Sequence, residues 1–279
     1  NLTVNVDDST SDLSNVNING SVTINDDTGS RNITGTSNDD TVNLSSGDDT
    51  VNLGGGNDTV NVSTSDLSSA DNLDGQAGTD SLNLTNSGVI DSDSLTATNG
   101  FENLNLSSGD DTVTFDNGTD FDTFITEFTN ISDASGTDTI DFGSTSVSGD
   151  LDFSKLNDFE NLNLSSADDN LTISGDEASN INGEGGNDTF DLDFSNIDNF
   201  TIDGGTDTSG DTVNLSGDTG ANISSDTNFG NANSFDNIEE LDFTSLSLNV
   251  GSDTTDGGTN AEFELTGDLI SNWTDGGNA

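Results

Sequence analysis

The chain has 279 residues, of which 54 are acidic and only two are basic, so its formal charge is −52. So few lysines and arginines argue against nucleic acid and against anionic membrane surfaces as partners, and no apolar run is long enough to predict membrane insertion. Cysteine is absent, which excludes disulfides, thiolate zinc sites and thiol redox chemistry.

Residues 1–35 open the chain with two alternating stretches, NLTVNV and VNINGSVTIN, separated by polar residues. Apolar and polar residues that alternate over a few positions indicate half-buried β-strands. We predict that residues 1–35 form an N-terminal coil or cap.

Residues 36–62 form three consecutive nine-residue lines, TSNDDTVNL, SSGDDTVNL and GGGNDTVNV. Each line has a small or polar turn, an aspartate at a fixed place and a short alternating strand. A repeat of nine is typical of one half-coil in a stacked solenoid. In a two-sided coil, successive lines lie on opposite sides, so Asp40 and Asp58 are expected on one side and Asp49 on the other.

The strand part of the line, D-[TSN]-[VLIF]-[NTD]-[LVIF], recurs to the end of a repeat body that we place at residues 36–250. Its two apolar residues are two positions apart and point to the same side of a strand. Glu102 and Glu160 stand nine residues before Asp111 and Asp169, so glutamate fills the acidic position of degenerate half-coils. The aspartates that begin the motif are Asp40, Asp49, Asp58, Asp80, Asp111, Asp138, Asp169, Asp188 and Asp211.

Two stretches break the strand period. Phe121, Phe124, Ile125 and Phe128 have the spacing of a short amphipathic helix, and Leu265 to Trp273 has a similar pattern within a predicted C-terminal cap at residues 251–279. These side chains plug the core or cap an end in one interpretation, and form a docking surface for a neighbouring subunit in the other.

Together these patterns predict an all-β fold, a parallel β-roll or β-helix solenoid of stacked nonapeptide half-coils with short insertions. Residues 1–279 are expected to form a single solenoid, because a repeat chain can be one continuous body. Leu44, Leu53, Leu106 and Leu164 give each half-coil a second core residue, which predicts a wider apolar interior than that of a lean β-roll.

The acidic turns have a chemistry of their own. Glycine permits positive φ and leaves carbonyl oxygens uncrowded, so a turn can aim several of them inward. Stacked carboxylates about 4.8 Å apart repel by about 3 kcal/mol at an effective dielectric of about 20. A hard cation with six to eight oxygen ligands turns this net repulsion into a net attraction. Calcium suits such flexible oxygen shells better than magnesium does. The chain is therefore expected to fold only when cations are supplied.

The lines GGGNDTVNV, GQAGTDSLN and GEGGNDTFD resemble the nonapeptide GGxGxDxUx of RTX (repeats-in-toxin) proteins. The resemblance implies a parallel β-roll that binds several calcium ions and is secreted by a bacterial type I system. It assigns the carboxylate ligand to Asp40, Asp49, Asp58, Asp80, Asp111 and Asp188. It assigns the turn positions to Gly47, Gly54, Gly56, Gly78, Gly183 and Gly186. More weakly, the whole chain resembles RTX-type surface-layer proteins of bacteria.

The turns before Asp138, Asp169 and Asp211 lack paired glycines, so a bound cation and a solvated turn both stay open there. An enzyme is not expected, because the chain has no His, Cys or Tyr, and a Ser154–Lys155 pair of strand neighbours would point apart. We expect a calcium-stabilised secreted structural protein that self-assembles into an extracellular or cell-surface layer, sheath or fibre. The alternative is a calcium-binding RTX module of a larger adhesin, ice-binding protein or exoenzyme.

Overall fold

The computed structural model confirms the predicted fold class, because parallel strands stack as a β-solenoid with little helix. The predicted cap at residues 251–279 lies outside the described part of the chain. The structure describes residues 2–6, 10–12, 20–96, 98–115, 118–144, 146–150, 155–156, 159–173, 180–193, 201–206, 210–218, 234–236 and 240–247.

Four parallel sheets form the solenoid, and their strands are numbered in chain order. Sheet I contains β1 (Leu2–Val6), β3 (Val22–Asp26), β5 (Thr41–Asn43), β7 (Thr59–Val62), β9 (Ser81–Leu84), β12 (Asn103–Asn105) and β14 (Asn130–Ser132). Sheet II contains β2 (Thr10–Asp12), β4 (Asn32–Thr34), β6 (Thr50–Asn52), β8 (Asn72–Asp74) and β11 (Thr98–Asn99).

The other two sheets carry the second half of the chain. Sheet III contains β10 (Val89–Asp91), β13 (Thr112–Thr114), β15 (Thr139–Asp141), β17 (Asn161–Asn163), β19 (Asn180–Asn182), β21 (Thr201–Asp203) and β23 (Ser234–Asp236). Sheet IV contains β16 (Ser148–Asp150), β18 (Asn170–Ile173), β20 (Thr189–Asp193), β22 (Thr212–Asp218) and β24 (Glu240–Ser247).

The chain changes its pair of sheets midway. From β1 to β9 successive strands alternate between sheets I and II, and from β15 onward they alternate between sheets III and IV. Between them, β10 and β13 already belong to sheet III while β11, β12 and β14 complete sheets II and I. The solenoid therefore has two halves that share a central transition.

The core follows from the alternation within each short strand. In β5, Val42 is buried between half-buried Thr41 and Asn43, and Val42 pairs in register with Val60 of β7. Stacking every coil in this way places one apolar column along the inner side of each sheet. Leu44, Leu53, Leu106 and Leu164 are also buried, which confirms the second core position.

A predicted helix interrupts the coil at the transition. Helix α2 (Gly118–Glu127) lies between β13 and β14, whereas α1 (Ser92–Thr96) was not predicted. The rings of Phe121 and Phe124 each lie 5.3 Å from the ring of Phe115, in edge-on contacts. The helix therefore fills the core with aromatic side chains. Neither helix in the described part of the chain is long and apolar enough to cross a membrane.

The outer side of sheet I carries a column of amide side chains. In this column each asparagine donates a hydrogen bond of 2.7–2.9 Å to the asparagine one coil earlier. Ser132 continues the column by donating to Asn105 at 2.8 Å. The members are Asn5, Asn25, Asn43, Asn61, Asn83 and Asn105.

Candidate metal centre

The motif aspartates all occupy one position, directly before a strand, and their side chains point inward. An aspartate two residues before a core residue lies on the same side of the extended chain as that residue. The burial of the carboxylates is therefore dictated by the same alternation that builds the core. Exposure is 2% or less for Asp40, Asp49, Asp58, Asp80, Asp111, Asp138, Asp169, Asp188 and Asp211.

Stacking turns these carboxylates into columns, which we name the acidic columns. Before sheet I, the backbone N–H of Asp40 donates to Oδ1 of Asp58 at 2.6 Å. Asp58 donates in the same way to Asp80 at 2.7 Å, and Asp80 donates to Oε2 of Glu102 at 2.8 Å. Each carboxylate thus satisfies a backbone donor of the preceding coil, and Glu102 fills the position predicted for it.

The same bond builds a column before each of the other sheets. Sheet II has Asp49 and Asp71, so Asp49 lies on the opposite side from Asp40 and Asp58, as predicted. The bonds that hold the columns of sheets III and IV measure 2.5–2.9 Å. Their members are Asp111, Asp138 and Glu160 before sheet III, and Asp169, Asp188 and Asp211 before sheet IV.

The second carboxylate oxygen divides the turns into two kinds. In a closed turn it accepts a local hydrogen bond, as Oδ2 of Asp169 does from the backbone N–H of Ser165 at 2.8 Å and from its hydroxyl at 2.9 Å. Asp40, Asp71 and Asp111 are closed in the same way by a backbone N–H. In an open turn, Oδ2 is buried without a hydrogen-bond partner among the described residues, as in Asp49, Asp58, Asp80 and Asp138.

The predicted turn glycines lie where neighbouring coils touch. Gly54 and Gly56 have positive φ angles of 102° and 127°, which favour glycine. At each of the six positions a Cβ would come closer than 3.0 Å to the adjacent coil or to a motif carboxylate. The six are Gly47, Gly54, Gly56, Gly78, Gly183 and Gly186.

Burial raises the pKa values of the carboxyl groups in the open turns above the ordinary value of an aspartate. It raises the pKa of Asp49 to about 6 and the pKa of Asp58 to about 7, and neighbouring carboxylates add to both shifts. Burial and Asp133 raise the pKa of Asp138 to about 7. The pKa values of Asp26, Asp80 and Asp169 are also raised, chiefly by burial. At neutral pH the carboxyls of Asp49, Asp58 and Asp138 therefore gain from either a proton or a cation.

The ligand atoms of the open turns fit a hard cation. Every available ligand atom is an oxygen, either a carboxylate or a turn carbonyl, which suits calcium. At Gly75, the position of a missing Cβ lies 2.7 Å from Oδ2 of Asp80 and closer still to the carbonyl oxygen of Gly100. A carboxylate and a carbonyl of the next coil therefore meet beside a glycine that leaves room for them.

The two basic side chains of the protein are both engaged elsewhere. Arg31 contacts Asp27, and its Nε lies 3.5 Å from Oδ1 of Asp26. Lys155 donates hydrogen bonds to the carbonyl oxygens of Ile125 and Phe128, at the C-terminal end of α2. Ser154, its neighbour in the sequence, lies outside the described residues. Neither cation lies within salt-bridge distance of an open motif carboxylate.

The sequence reasoning missed two acidic residues of this system. Asp71 belongs to the column of sheet II, but its strand DNLDG ends in Gly75 where the motif requires an apolar residue. Asp133 lies five residues before Asp138, at a place outside the repeated motif, and its carboxylate clusters with those of Asp111 and Asp138. Asp71 retained four of the five motif positions, whereas nothing in the linear sequence singled out Asp133.

Comparison of the chain with protein-family models, curated proteins and solved structures gave no match.

Proposed function

We propose that this protein is a calcium-stabilised structural protein of the RTX type, which is secreted and self-assembles outside the cell into a layer, sheath or fibre. The observation that carries the proposal is the set of acidic columns. They bring buried carboxylates into successive coils and leave several of their oxygens without a hydrogen bond from any residue that the structure describes. The parallel solenoid with buried aspartates in stacked turns is compatible with an RTX β-roll.

Calcium would act as the countercharge that the chain itself lacks. The formal charge is −52 and both basic side chains are occupied, so the chain cannot neutralise its own turns. Without cations, repulsion between buried carboxylates opposes the stacking on which the core depends. The calcium concentration outside cells would then select the folded state there, while the chain stays unfolded before export.

Assembly would depend on the same ions. Two copies with this net charge repel one another unless divalent cations lie between their acidic faces. Calcium would therefore supply both the folding and the association step, which suits a coat that forms only after secretion. We place the protein at the cell surface or in the extracellular space, and propose bacterial type I secretion as its route.

The second candidate is a calcium-binding RTX module of a larger adhesin, ice-binding protein or exoenzyme. The acidic columns favour it equally, because a module needs calcium-dependent folding but no polymerisation. The two candidates differ in what the isolated chain does after it folds.

The test is circular dichroism and electron microscopy of the purified chain, first in chelator and then in calcium at millimolar concentration. The whole test is done at neutral pH, where the carboxylates are not kept protonated by acid. There we expect a largely unfolded spectrum in chelator, a strand-rich spectrum in calcium and ordered polymers in calcium only. Magnesium at the same concentration is the ionic-strength control and should be much less effective. Folding without polymers would favour the module, and a strand-rich fold in chelator would overturn both candidates.

A matched pair of variants sharpens this test. Asp49 is buried in an open turn, whereas its neighbour Asp48 is exposed and is the same kind of residue. Asp49→Asn should raise the calcium concentration needed for half-maximal folding, whereas Asp48→Asn should leave it almost unchanged. Equal effects of the two variants would mean that calcium acts only through the general charge.

A further inference from the structure

We propose that Asp111, Asp133 and Asp138 form a three-carboxylate calcium site at the transition between the two halves of the solenoid, and that it is the tightest site among the described residues. The proposal rests on the calcium-dependent fold proposed above and adds a ligand from outside the repeat. The carboxylate oxygens of the three residues lie within 4.8 Å of one another.

The fold brings these residues together from separate segments. Asp111 precedes β13 and Asp138 precedes β15, and the two strands are paired neighbours in sheet III. Asp133 directly follows β14, the last strand of sheet I, where the chain crosses to sheet III. The three carboxylates therefore join two coils and both halves of the molecule at one point.

Asp138 points a free ligand atom into this cluster. Its side chain is 0% exposed and its Oδ1 accepts the backbone N–H of Asp111 at 2.6 Å. Its Oδ2 has no hydrogen-bond donor among the described residues, and neither has the buried Oδ1 of Asp133. Two buried acceptors in one cluster without a donor are unfavourable unless a cation lies among them or one carboxyl is protonated. In keeping with this, burial and Asp133 both raise the pKa of Asp138.

No basic side chain of the protein supplies that cation. The sequence has one arginine and one lysine. Arg31 pairs with Asp26 and Asp27, and Lys155 donates to the last carbonyl oxygens around α2. Asp26 and Asp133 occupy equivalent places, each five residues before the residue that precedes the next strand. At Asp26 that residue is Arg31, whose guanidinium supplies a positive charge, whereas at Asp133 it is Asp138. At Asp133 the charge must come from solution.

The ligand set determines which cation fits and how tightly. Oδ2 of Asp111 is closed by two donors from Ser107, but among the described residues its Oδ1 accepts only the N–H of Gly88 and keeps a second lone pair for the ion. Three carboxylates and no nitrogen or sulfur ligand form a hard site, and the affinity of calcium sites rises with the number of charged ligands.

In the other turns a glycine or a leucine occupies the place five residues before several motif aspartates, as Gly75 does before Asp80 and Leu53 before Asp58. Asp133 replaces such a residue with an additional charged oxygen ligand, so this site should fill first.

The test is calcium titration of the whole chain by calorimetry, starting from chelator-treated protein at neutral pH. Asp133→Asn should weaken the tightest class of sites at least tenfold or remove it. Asp122→Asn is the matched control, because Asp122 is an exposed aspartate on the adjacent helix α2 and loses the same charge. The control should keep the binding curve of the natural chain.

Thermal unfolding gives a second readout that a merely structural residue would not produce. In chelator at about pH 6, where protons in place of calcium keep the chain folded, Asp133→Asn should raise the midpoint temperature, because it removes repulsion with Asp138. In calcium the same variant should lower the midpoint. A fall of equal size in both conditions would overturn the site, and so would calcium binding with an unchanged tightest class. If the natural chain bound no calcium at all, the proposed function would fail as well, so the two failures can be told apart.

Discussion

The turns that precede Asp58 and Asp169 hold the same carboxylate in two different ways. In the first half of the solenoid, Asp58 follows a glycine turn and its Oδ2 has no hydrogen bond among the described residues. In the second half, Ser165 closes the turn and donates twice to Oδ2 of Asp169. The coil therefore requires the acidic position in both halves, but only the turns that lack a local donor to Oδ2 leave an oxygen available for a cation.

This difference separates two roles that the sequence presents as one. The first oxygen of every motif aspartate is a structural acceptor for the preceding coil. The second oxygen is structural in a closed turn and available in an open one. At three positions the sequence did not decide between a bound cation and a solvated turn. Of these, Asp138 lies in an open turn and Asp169 in a closed one.

The largest expected effect is a change of stability with pH that exists only without calcium. The pKa values of Asp49, Asp58 and Asp138 are about 6, 7 and 7, above the ordinary 3.8. A carboxyl whose folded pKa is raised contributes stability below its unfolded pKa and loses that contribution as the pH rises through its folded pKa. In chelator the chain should therefore be folded near pH 4, and its midpoint temperature should fall as the pH rises, until the chain is unfolded near neutral pH.

The size of this fall follows from the pKa shifts. One pKa unit corresponds to about 1.4 kcal/mol, and 1 kcal/mol moves the midpoint by roughly 2–4 °C in a domain of this size. Even after a discount for solvent screening, three such shifts exceed the effect of any single substitution below, so the fall should be more than about 10 °C. It is measured by circular dichroism at high monovalent salt, which screens the surface charge. In calcium the fall should disappear, because the cation replaces the protons. A midpoint independent of pH in chelator would contradict the open turns.

The next largest effect should come from filling the space beside an open carboxylate. A Cβ at Gly75 would press on Oδ2 of Asp80 and on the carbonyl oxygen of Gly100. Gly75→Ala should therefore cost about 3 kcal/mol in calcium, near the upper end of the usual cost of overpacking. The measurement is chemical unfolding at saturating calcium.

Gly55→Ala is the matched control for that variant. The nearest atom to a Cβ at Gly55 is the carbonyl oxygen of Ala77 at 3.7 Å, an ordinary contact distance. Its effect on the free energy of unfolding should stay below about 1 kcal/mol. If both alanine variants were equally stable, the space beside Gly75 would not be as crowded as the distances to Asp80 and Gly100 indicate.

The smallest effect should come from a closed turn. Ser165→Ala removes the hydroxyl donor to Asp169 and should lower the free energy of unfolding by about 1 kcal/mol. The loss should be the same in chelator at low pH and in calcium. Ser166→Ala is the control, because Ser166 is exposed and adjacent. A loss for Ser165→Ala that appeared only in calcium would mean that closed turns hold cations too.

The sequence predicted the parts of the fold that depend on local alternation. The strand period, the inward aspartates, the glutamates in the acidic position and helix α2 all follow from spacings of two, nine or three to four residues. The transition between sheet pairs was not predictable, because alternation shows which side of a strand is buried and not which sheet the strand joins. Asp133 escaped notice because it lies outside the repeated motif, and because Asp111, 22 positions earlier, comes close to it only through the stacking of coils.

The asparagine column and the acidic columns give the stack a polarity. Asparagine side chains donate towards the N-terminal end, as Asn43 does to Asn25, whereas backbone amides of the acidic columns donate towards the C-terminal end. The opposite ends of the rod are thus chemically unlike. If two copies stack end to end with parallel strands, they must therefore face the same way, so that sheets I and II of one copy meet sheets III and IV of its partner in a head-to-tail contact.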